Sequence, residues 1–251
     1  MKIQAHVTKV ENENSKIKGY ADIIVENCCK FNCIRVAENF NGELFVSYPQ
    51  KPLYEDGKPK LHENGEPMYT DVFYANSKEI NDAIKALVLE AYHNENGYAY
   101  INPQKGEFVN AKIDPQLHAC NDERVKASGR LTVGGYMKVP DIFVNLAFTK
   151  DTEPFLAVSY PHYKSGDEYK DFVEPLEKGK VWDREAKEEK NYNFKATIEG
   201  VMRKQTREFH PELAALLDKN KSVDEKIAEA KGIAEGGASG QAKEAEQEIS
   251  K

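Results

Sequence analysis

Hydrophobic and polar residues alternate near the start of the chain in the pattern of a half-buried β-strand. Between Ile3 and Val7 every second residue is apolar, a period of two that turns one side of a strand toward a core. Residues 21–25 and 29–33 form two further alternating runs, separated by a short turn at Glu26-Asn27. Two such runs joined by a short turn predict a β-hairpin.

A long polar segment follows the next predicted strand. Residues 44–48 alternate again, and Pro49 ends that run. Residues 50–70 are then mostly polar, and they contain an Asp-Gly pair and an Asn-Gly pair. Both pairs are turn signals, so this segment is able to close a small hairpin of its own.

The period then changes from two to that of a helix. Asn76 or Ser77 is suited to cap a helix N-terminus, and the acidic Glu79 and Asp82 suit the helix dipole in the first turn. A small antiparallel sheet followed by a covering helix is an α+β unit. The apolar residues at helical spacing are Ile80, Ala83, Ile84, Leu87, Val88 and Ala91.

This order of elements occurs twice along the chain. The sequence Val-Ser-Tyr-Pro at 46–49 returns at 158–161, 112 residues later, and residues 16–36 align without a gap on 124–144. A repeat of this length is a whole folding unit. Gly134-Gly135 stands at the hairpin turn of the second copy, where glycines tolerate positive φ. We therefore predict two tandem α+β modules at 1–95 and 109–210, a linker at 96–108 and a tail at 211–251.

The second copy is interrupted before its helix. Its first strand is predicted around Val109, Ala111 and Ile113. A charged insertion at 178–190 delays the helix, and we interpret its charge run from Glu185 to Lys190 as solvated. The helix is predicted from Tyr192 to about Phe209, with Ile198, Val201 and Met202 as its apolar stripe.

The tail has little to bury. Leu213, Leu216 and Leu217 allow one short helix after Pro211, and the capping box that begins at Ser222 allows another. From Gly232 onward the composition predicts disorder.

Composition places the chain among soluble proteins. No stretch approaches the ~18–20 apolar residues of a membrane span, and the N-terminus lacks the apolar core of a signal peptide. Cys28, Cys29 and Cys33 lie close together while Cys120 is far away, which is not the pattern of a disulfide framework. A zinc site would need a second Cys or His pair at suitable spacing. We expect buried strand cysteines, no cofactor and a cytoplasmic protein.

The charge balance gives no sign of a dedicated nucleic-acid binder. The formal net charge is −7, whereas such proteins usually carry a basic excess. The deficit falls on residues 1–95 and on the tail, since residues 96–210 are balanced. Any nucleic-acid binding must therefore depend on a local basic patch.

Short pieces of the first copy carry a known pattern. They are Ile34-Arg35-Val36, Gly42-Glu43-Leu44-Phe45-Val46-Ser47-Tyr48-Pro49, Lys51 with Asp56-Gly57, Asp71-Val72, and Ile84, Val88-Leu89 and Tyr92. In this order they resemble the SpoVG family, the stage V sporulation and septation regulators of bacteria. That family has a D-I-R-V strand, a G-L-F-V-x-M-P strand, a basic Asp-Gly loop, a D-I-x-H-P-I-N segment and a helix ending V-L-x-x-Y.

The chain departs from this pattern at several positions. The His-Pro of the family is Tyr74-Ala75 here, and the arginine of its helix is Asn81. The second copy has Glu174-Pro175-Leu176 at the His-Pro-Ile piece, but Phe143 replaces the strand arginine. The two copies therefore cannot use this strand position in the same way.

The resemblance implies a function. SpoVG-like proteins are small nucleic-acid-binding regulators, generally homodimers, without catalytic activity. Two fused copies then suggest a single chain that mimics the family dimer as an internal pseudo-dimer, because fusion replaces an encounter of two molecules with a high effective concentration. Such a chain is expected to be a monomer, or a higher homo-oligomer, that binds DNA or RNA and no membrane.

Two groups of basic residues are candidates for nucleic-acid contacts. Basic and aromatic side chains share the 50–70 loop, but four acidic residues weaken its field, so a solvated loop is an alternative. Cations near the C-terminal end of the second helix also suit the helix dipole, which is the alternative there. The candidates are Lys51, Lys58 and Lys60 in the loop and Lys195, Arg203, Lys204 and Arg207 in the helix.

Arg35 is the candidate in the first sheet. Its neighbours Ile34 and Val36 are expected to face the core, which leaves Arg35 on the opposite side of the strand. A cross-strand salt bridge is the alternative use of this side chain.

Catalysis has little support in the sequence. The six histidines are scattered without an HExxH-like pairing, and no Gly-x-Ser-x-Gly elbow or phosphate-binding glycine loop is present. We expect a non-enzymatic regulator. The competing hypothesis is a protein-interaction module of the same fold that has lost nucleic-acid binding, which the negative charge and Asn81 favour.

Overall fold

The computed structural model describes residues 2–12, 14–101, 113–121, 126–149, 152–183 and 185–211. It consists of antiparallel sheets and two helices, which confirms the predicted α+β class. Neither helix in this described part of the chain is long and apolar enough to cross a membrane.

The first half contains a sheet in which strands lie in the order β10-β1-β2-β3, with β4 beside the C-terminal part of β3. Helix α1 packs on this sheet, chiefly against β1, β10 and β4. The elements are β1 (Ile3–Lys9), β2 (Ile17–Val25), β3 (Cys29–Glu38), β4 (Leu44–Ser47), β5 (Gln50–Pro52), β6 (Tyr54–Glu55), β7 (Lys58–Pro59), β8 (Tyr69–Asp71), β9 (Tyr74–Ala75), α1 (Lys78–His93) and β10 (Tyr98–Ile101).

The second half contains a sheet in the order β11-β12-β13-β14, and helix α2 packs against β11 and β14. Short hairpins β15–β16 and β18–β19 project from it. The elements are β11 (Ile113–Asn121), β12 (Lys126–Val133), β13 (Met137–Thr149), β14 (Thr152–Ser159), β15 (His162–Ser165), β16 (Glu168–Asp171), β17 (Val173–Pro175), β18 (Gly179–Asp183), β19 (Glu188–Tyr192) and α2 (Phe194–Phe209).

The two central hairpins turn in the same way. Glu26 and Asn27 have φ of 51° and 53°, and Gly134 and Gly135 have φ of 62° and 75°. Both turns therefore use two residues in the left-handed region, as the alignment of the copies predicts. The tips meet, because a Cβ added to Gly134 would lie 2.9 Å from Cγ of Glu26.

Each helix begins at a side-chain cap. The Ser77 hydroxyl accepts a hydrogen bond from the Ile80 N–H at 3.3 Å, and the Asn193 side-chain oxygen accepts one from the Ala196 N–H at 2.9 Å. Ser77, one of the two predicted caps, is therefore the N-cap of α1. The second helix is predicted to begin two residues before its observed start at Phe194.

A short strand from each half pairs with the sheet of the other half. β9 lies beside the start of β13, and β17 lies beside the start of β3. Matching backbone hydrogen bonds anchor both strands, from the Asn76 N–H to the Tyr136 carbonyl at 2.7 Å and from the Leu176 N–H to the Cys28 carbonyl at 2.8 Å. Each half thus completes the sheet of the other.

The buried side chains of both halves form one hydrophobic cluster. Phe73, which precedes β9, packs edge-on against Phe31 at 5.0 Å between ring centroids and lies 5.6 Å from Tyr48. On the other side Val173 of β17 is fully buried. Burial of this kind supplies most of the folding free energy, so the strand exchange is also a shared core.

The two polar segments form hairpins and remain largely exposed to solvent. The 50–70 loop contains the hairpin β6–β7 around its Asp-Gly pair, and a bridge between Leu61 and Pro67 closes the Asn-Gly turn. The charged insertion at 178–190 forms most of the hairpin β18–β19, although residues 185–191 remain exposed.

Other differences concern the ends of the units. Tyr98–Ile101, in the expected linker, forms β10 and pairs with β1.

Cys28 and Cys29 are buried, whereas Cys33 and Cys120 are half-buried, and all four are free thiols. Val109, Ala111, the remaining linker residues 102–108 and the predicted helices and disorder after Pro211 lie outside the described residues.

Candidate nucleic-acid interface

Arg35 lies in the middle of β3 with its side chain away from the core. Ile34 and Val36 on either side are fully buried, while Arg35 is exposed. Strand alternation therefore places the guanidinium on the outer face of the first sheet, as predicted. No salt bridge joins Arg35 to another residue of the described part of the chain. The cross-strand pair considered as its alternative role is not formed there.

Aromatic side chains surround Arg35 on this outer face. Tyr20 is its direct cross-strand neighbour on β2, and Phe45 lies two residue pairs further along, on β4. Their side chains are 46% and 44% exposed. Toward the other edge of the sheet, on β1 and β10, the His6 and Tyr98 rings stack with 4.3 Å between their centroids.

Sequence reasoning missed these aromatic neighbours, although a signal was present. Tyr20 stands between two buried small residues, Gly19 and Ala21, so strand alternation alone places its ring on the outer face. Phe45 is in the same position relative to buried Val46. Neither residue is charged, so a pattern of basic residues does not include them.

Two lysines of this face are paired with carboxylates. Lys30 lies 3.3 Å from Asp22, and Lys18 lies 3.1 Å from Glu38. These lysines are therefore locally neutralised. Arg35 has no salt-bridge partner among the described residues.

The three loop lysines have separate surroundings. Lys51 forms a salt bridge with Asp141 of β13, so it joins the two halves. Lys60 pairs with Glu55 within the loop at 3.2 Å. Lys58 is exposed at the β6–β7 hairpin. Of the three, only Lys58 is exposed and has no salt bridge to another described residue.

The basic residues of α2 do not form a single surface. Lys204 is exposed, and Arg203 is half-buried. Arg207 is half-buried with its Nε and Nη2 atoms fully buried. Lys195, the second residue of the helix, lies 3.5 Å from Glu177. The eight predicted site residues are thus distributed over the outer sheet face, the loop and the helix, and the structure does not bring them together.

A second contact joins the halves, between the residues that align with the two partners of the Lys51 salt bridge. Tyr163 is the residue 112 positions after Lys51, and its hydroxyl hydrogen-bonds the sulfur of Cys33. Cys33 in turn aligns with Asp141. Burial raises the pKa of the Cys33 thiol, and the hydrogen bond with Cys33 raises the pKa of Tyr163. Both groups are therefore protonated near neutral pH, which suits a structural contact.

Several buried groups near the junction of the halves are also held neutral. Burial raises the pKa of Tyr48 and Tyr160, the tyrosines of the two Val-Ser-Tyr-Pro strands. A hydrogen bond that the Cys29 thiol donates to the Cys28 sulfur, together with burial, raises the pKa of Cys29. Within the described ranges, no group of three His, Cys, Asp or Glu side chains is placed to hold a metal ion.

Comparison with known proteins agrees with the resemblance seen in the first copy. No curated protein and no solved structure matches the chain. The model of the SpoVG family matches residues 1–94. The match ends at the C-cap of α1, Asn94, and it contains Arg35 together with Tyr20 and Phe45. The part of the chain that carries the exposed arginine and its aromatic neighbours is thus the part that is similar to the SpoVG family.

Proposed function

We propose that this protein is a cytoplasmic, non-enzymatic regulator of the SpoVG type that binds DNA or RNA, in a process related to septation or sporulation. The family similarity of residues 1–94 supports the regulatory class. The observation that carries the binding role is Arg35, an exposed guanidinium without a salt bridge in the described chain, held on a rigid strand between aromatic rings. A guanidinium of this kind is well suited to a phosphate.

We also propose that the two halves act as an internal pseudo-dimer. The reciprocal placement of β9 and β17 supports this arrangement, since each half completes a sheet of the other. Lys51 with Asp141 and Tyr163 with Cys33 support it further, because aligned positions form both contacts. The function then needs one chain where the family generally uses two.

The proposal is tested by binding of labelled random-sequence DNA and RNA in gel-shift and fluorescence-anisotropy experiments at low salt. We expect binding that weakens as salt rises, because phosphate contacts release counterions. Arg35→Ala is expected to reduce affinity by about 10- to 150-fold, the equivalent of the roughly 1.5–3 kcal/mol of a charged hydrogen bond. Lys85→Ala, a half-buried lysine on α1 away from this face, is the matched control and is expected to bind normally.

A protein-interaction module is the second candidate function. Lys51, Lys60 and Lys195 each have a carboxylate partner, and two guanidinium nitrogens of Arg207 are buried. Half of the predicted binding residues are therefore not free to contact phosphates. Absence of any DNA or RNA binding at low salt would reject the first proposal and leave this one.

A further inference from the structure

We infer that the outer face of the first sheet binds single-stranded nucleic acid, with unpaired bases stacked on Tyr20 and Phe45 and a phosphate on Arg35. The inference rests on the proposed nucleic-acid binding and names the strand type and the surface. It concerns the group defined by these three residues, which we call the aromatic face. Single strands are the chosen ligand because the face offers rings to bases and few charges to phosphates.

The sheet register places the three side chains next to one another. Tyr20 and Arg35 are direct cross-strand partners, and Arg35 pairs on its other side with Ser47. Phe45 is two residues from Ser47 on β4, so its Cα lies about 7 Å further along the same face. One guanidinium therefore lies between two rings, in an order that matches base, phosphate and base of an extended strand.

The backbone under these side chains is fixed. β2 pairs with β1 on one side and with β3 on the other, and β3 pairs with β4 at Arg35. The opposite face is packed under α1, with Ile34 and Val36 fully buried. A face of this kind orders few new groups when a ligand binds, which reduces the entropy cost of binding.

The rings are accessible in a way that suits stacking. About half of the Tyr20 and Phe45 side-chain surface is exposed, at 46% and 44%. Base–aromatic stacking needs an exposed base face, which single strands provide and duplexes do not. A protein that binds duplexes would instead need many cationic side chains to contact the phosphates of two strands.

Charge on the face supports the same choice. Lys30 is paired with Asp22 and Lys18 with Glu38, whereas Arg35 has no salt bridge in the described chain. For a single strand, each neutralised phosphate contributes a slope of about −0.7 to log affinity against log salt. We therefore expect a shallow slope of roughly −1, because stacking rather than charge supplies most of the affinity.

The second sheet offers an internal comparison. The residue aligned with Tyr20 is Ser128, that aligned with Arg35 is Phe143, and that aligned with Phe45 is Ala157. Phe143 is 48% exposed, as much as Tyr20. However, the arginine of that face, Arg130, is half-buried and donates to the Gln116 side-chain oxygen. The face is therefore a property of the first half, and Phe143 provides a control of equal exposure and chemistry.

The test measures anisotropy of a labelled mixed-sequence 20-nucleotide RNA, the DNA of the same sequence, and the corresponding DNA duplex, with the full chain. Tyr20→Leu and Phe45→Leu are each expected to weaken single-strand binding by roughly 5- to 150-fold, the range of one lost stacking contact. Tyr20→Phe keeps the ring and is expected to bind normally. Phe143→Leu is expected to have no effect, and thermal melts establish that each variant is folded.

The outcomes separate this inference from the proposed function. Single strands bound at least tenfold more tightly than the duplex, with loss in both leucine variants, support it. The aromatic face is overturned if the duplex binds as tightly as the single strands. It is also overturned if Tyr20→Leu and Phe45→Leu have the same single-strand affinity as Phe143→Leu. Either result leaves the proposed function intact. No binding of any of the three probes at low salt overturns both.

Discussion

Lys51 and Tyr163 occupy aligned positions in the two copies, and each reaches across to the other half. Lys51 pairs with Asp141, whereas Tyr163 hydrogen-bonds Cys33. The place of the contact is the same and its chemistry has changed from an ion pair to a neutral pair. The contact between the halves is therefore kept at these aligned positions, while the side chains that form it differ.

Gly134 and Gly135 provide a residue-scale prediction with a built-in control. Both have positive φ, but a Cβ on Gly134 would lie 2.7 Å from the Tyr136 ring, whereas a Cβ on Gly135 meets nothing within 4 Å. Gly135→Ala is expected to lower the free energy of unfolding by about 1 kcal/mol, the cost of a left-handed Ala. Gly134→Ala is expected to cost about 1–3 kcal/mol more through overpacking.

Chemical denaturation of both variants measures this difference. The aligned residue Glu26 has φ of 51° without being a glycine, so a left-handed backbone alone does not exclude a side chain at this turn. Equal losses for the two variants would mean that contact between the hairpin tips is unimportant.

At the scale of elements, a side-chain amide holds α2 to its sheet. The Leu117 N–H donates to the Gln205 side-chain oxygen at 2.6 Å, and the Gln205 amide donates to the Pro115 carbonyl at 2.9 Å. The register of β11 and β12 shifts immediately after Leu117. Gln205 therefore satisfies backbone groups beside an irregularity of the strand.

Gln205→Ala is expected to lower the free energy of unfolding by about 1–3 kcal/mol, because two backbone groups lose their partner. Lys204→Ala, at the exposed neighbouring position, is expected to change it by less than about 0.5 kcal/mol. Thermal and urea unfolding of the two variants provide the measurement. A loss in Lys204→Ala as large as in Gln205→Ala would reject this role for the amide.

Elements were predictable where periodicity is strong. The alternation around Ile3 and Val7, the hairpin turns and the helix after Ser77 all follow from local patterns, and the structure has them. The basic residues of α2 were grouped by their closeness in sequence, yet Arg203 is half-buried and Lys204 is exposed, because a helix turns by 100° per residue. Sequence spacing alone did not reveal that Arg207 nitrogens are buried.

The cross-half pairing was not predictable at this level. β9 has two residues and β17 has three, too few for a period to be recognised. Their partners lie in the other copy, and which strand edge is open is a property of the assembled sheets. The pseudo-dimer hypothesis came from the duplication and a family resemblance, whereas the strand exchange that supports it required the structure.

At the scale of the whole molecule, the strand exchange predicts how a fragment behaves. Residues 1–101 alone lack β17, which covers the start of β3, and lack β13, which pairs with β9. In two copies of the fragment, β9 of each copy can take the place of β17 beside β3 of the other, so we expect a fragment dimer and a full-chain monomer. Light scattering measures both masses, and a monomeric fragment beside a dimeric full chain would contradict the internal pseudo-dimer.

The pairing of β17 with β3 has a consequence during synthesis. The start of β3 stays without its neighbour until residue 175 has been made, and at roughly 5–20 residues per second the 74 residues after Ile101 take about 4–15 seconds. An unpaired edge is a template for another chain. Neighbouring ribosomes on one message therefore present open edges to each other during this interval, and fusion of the two halves gives each nascent chain its own partner strand before release.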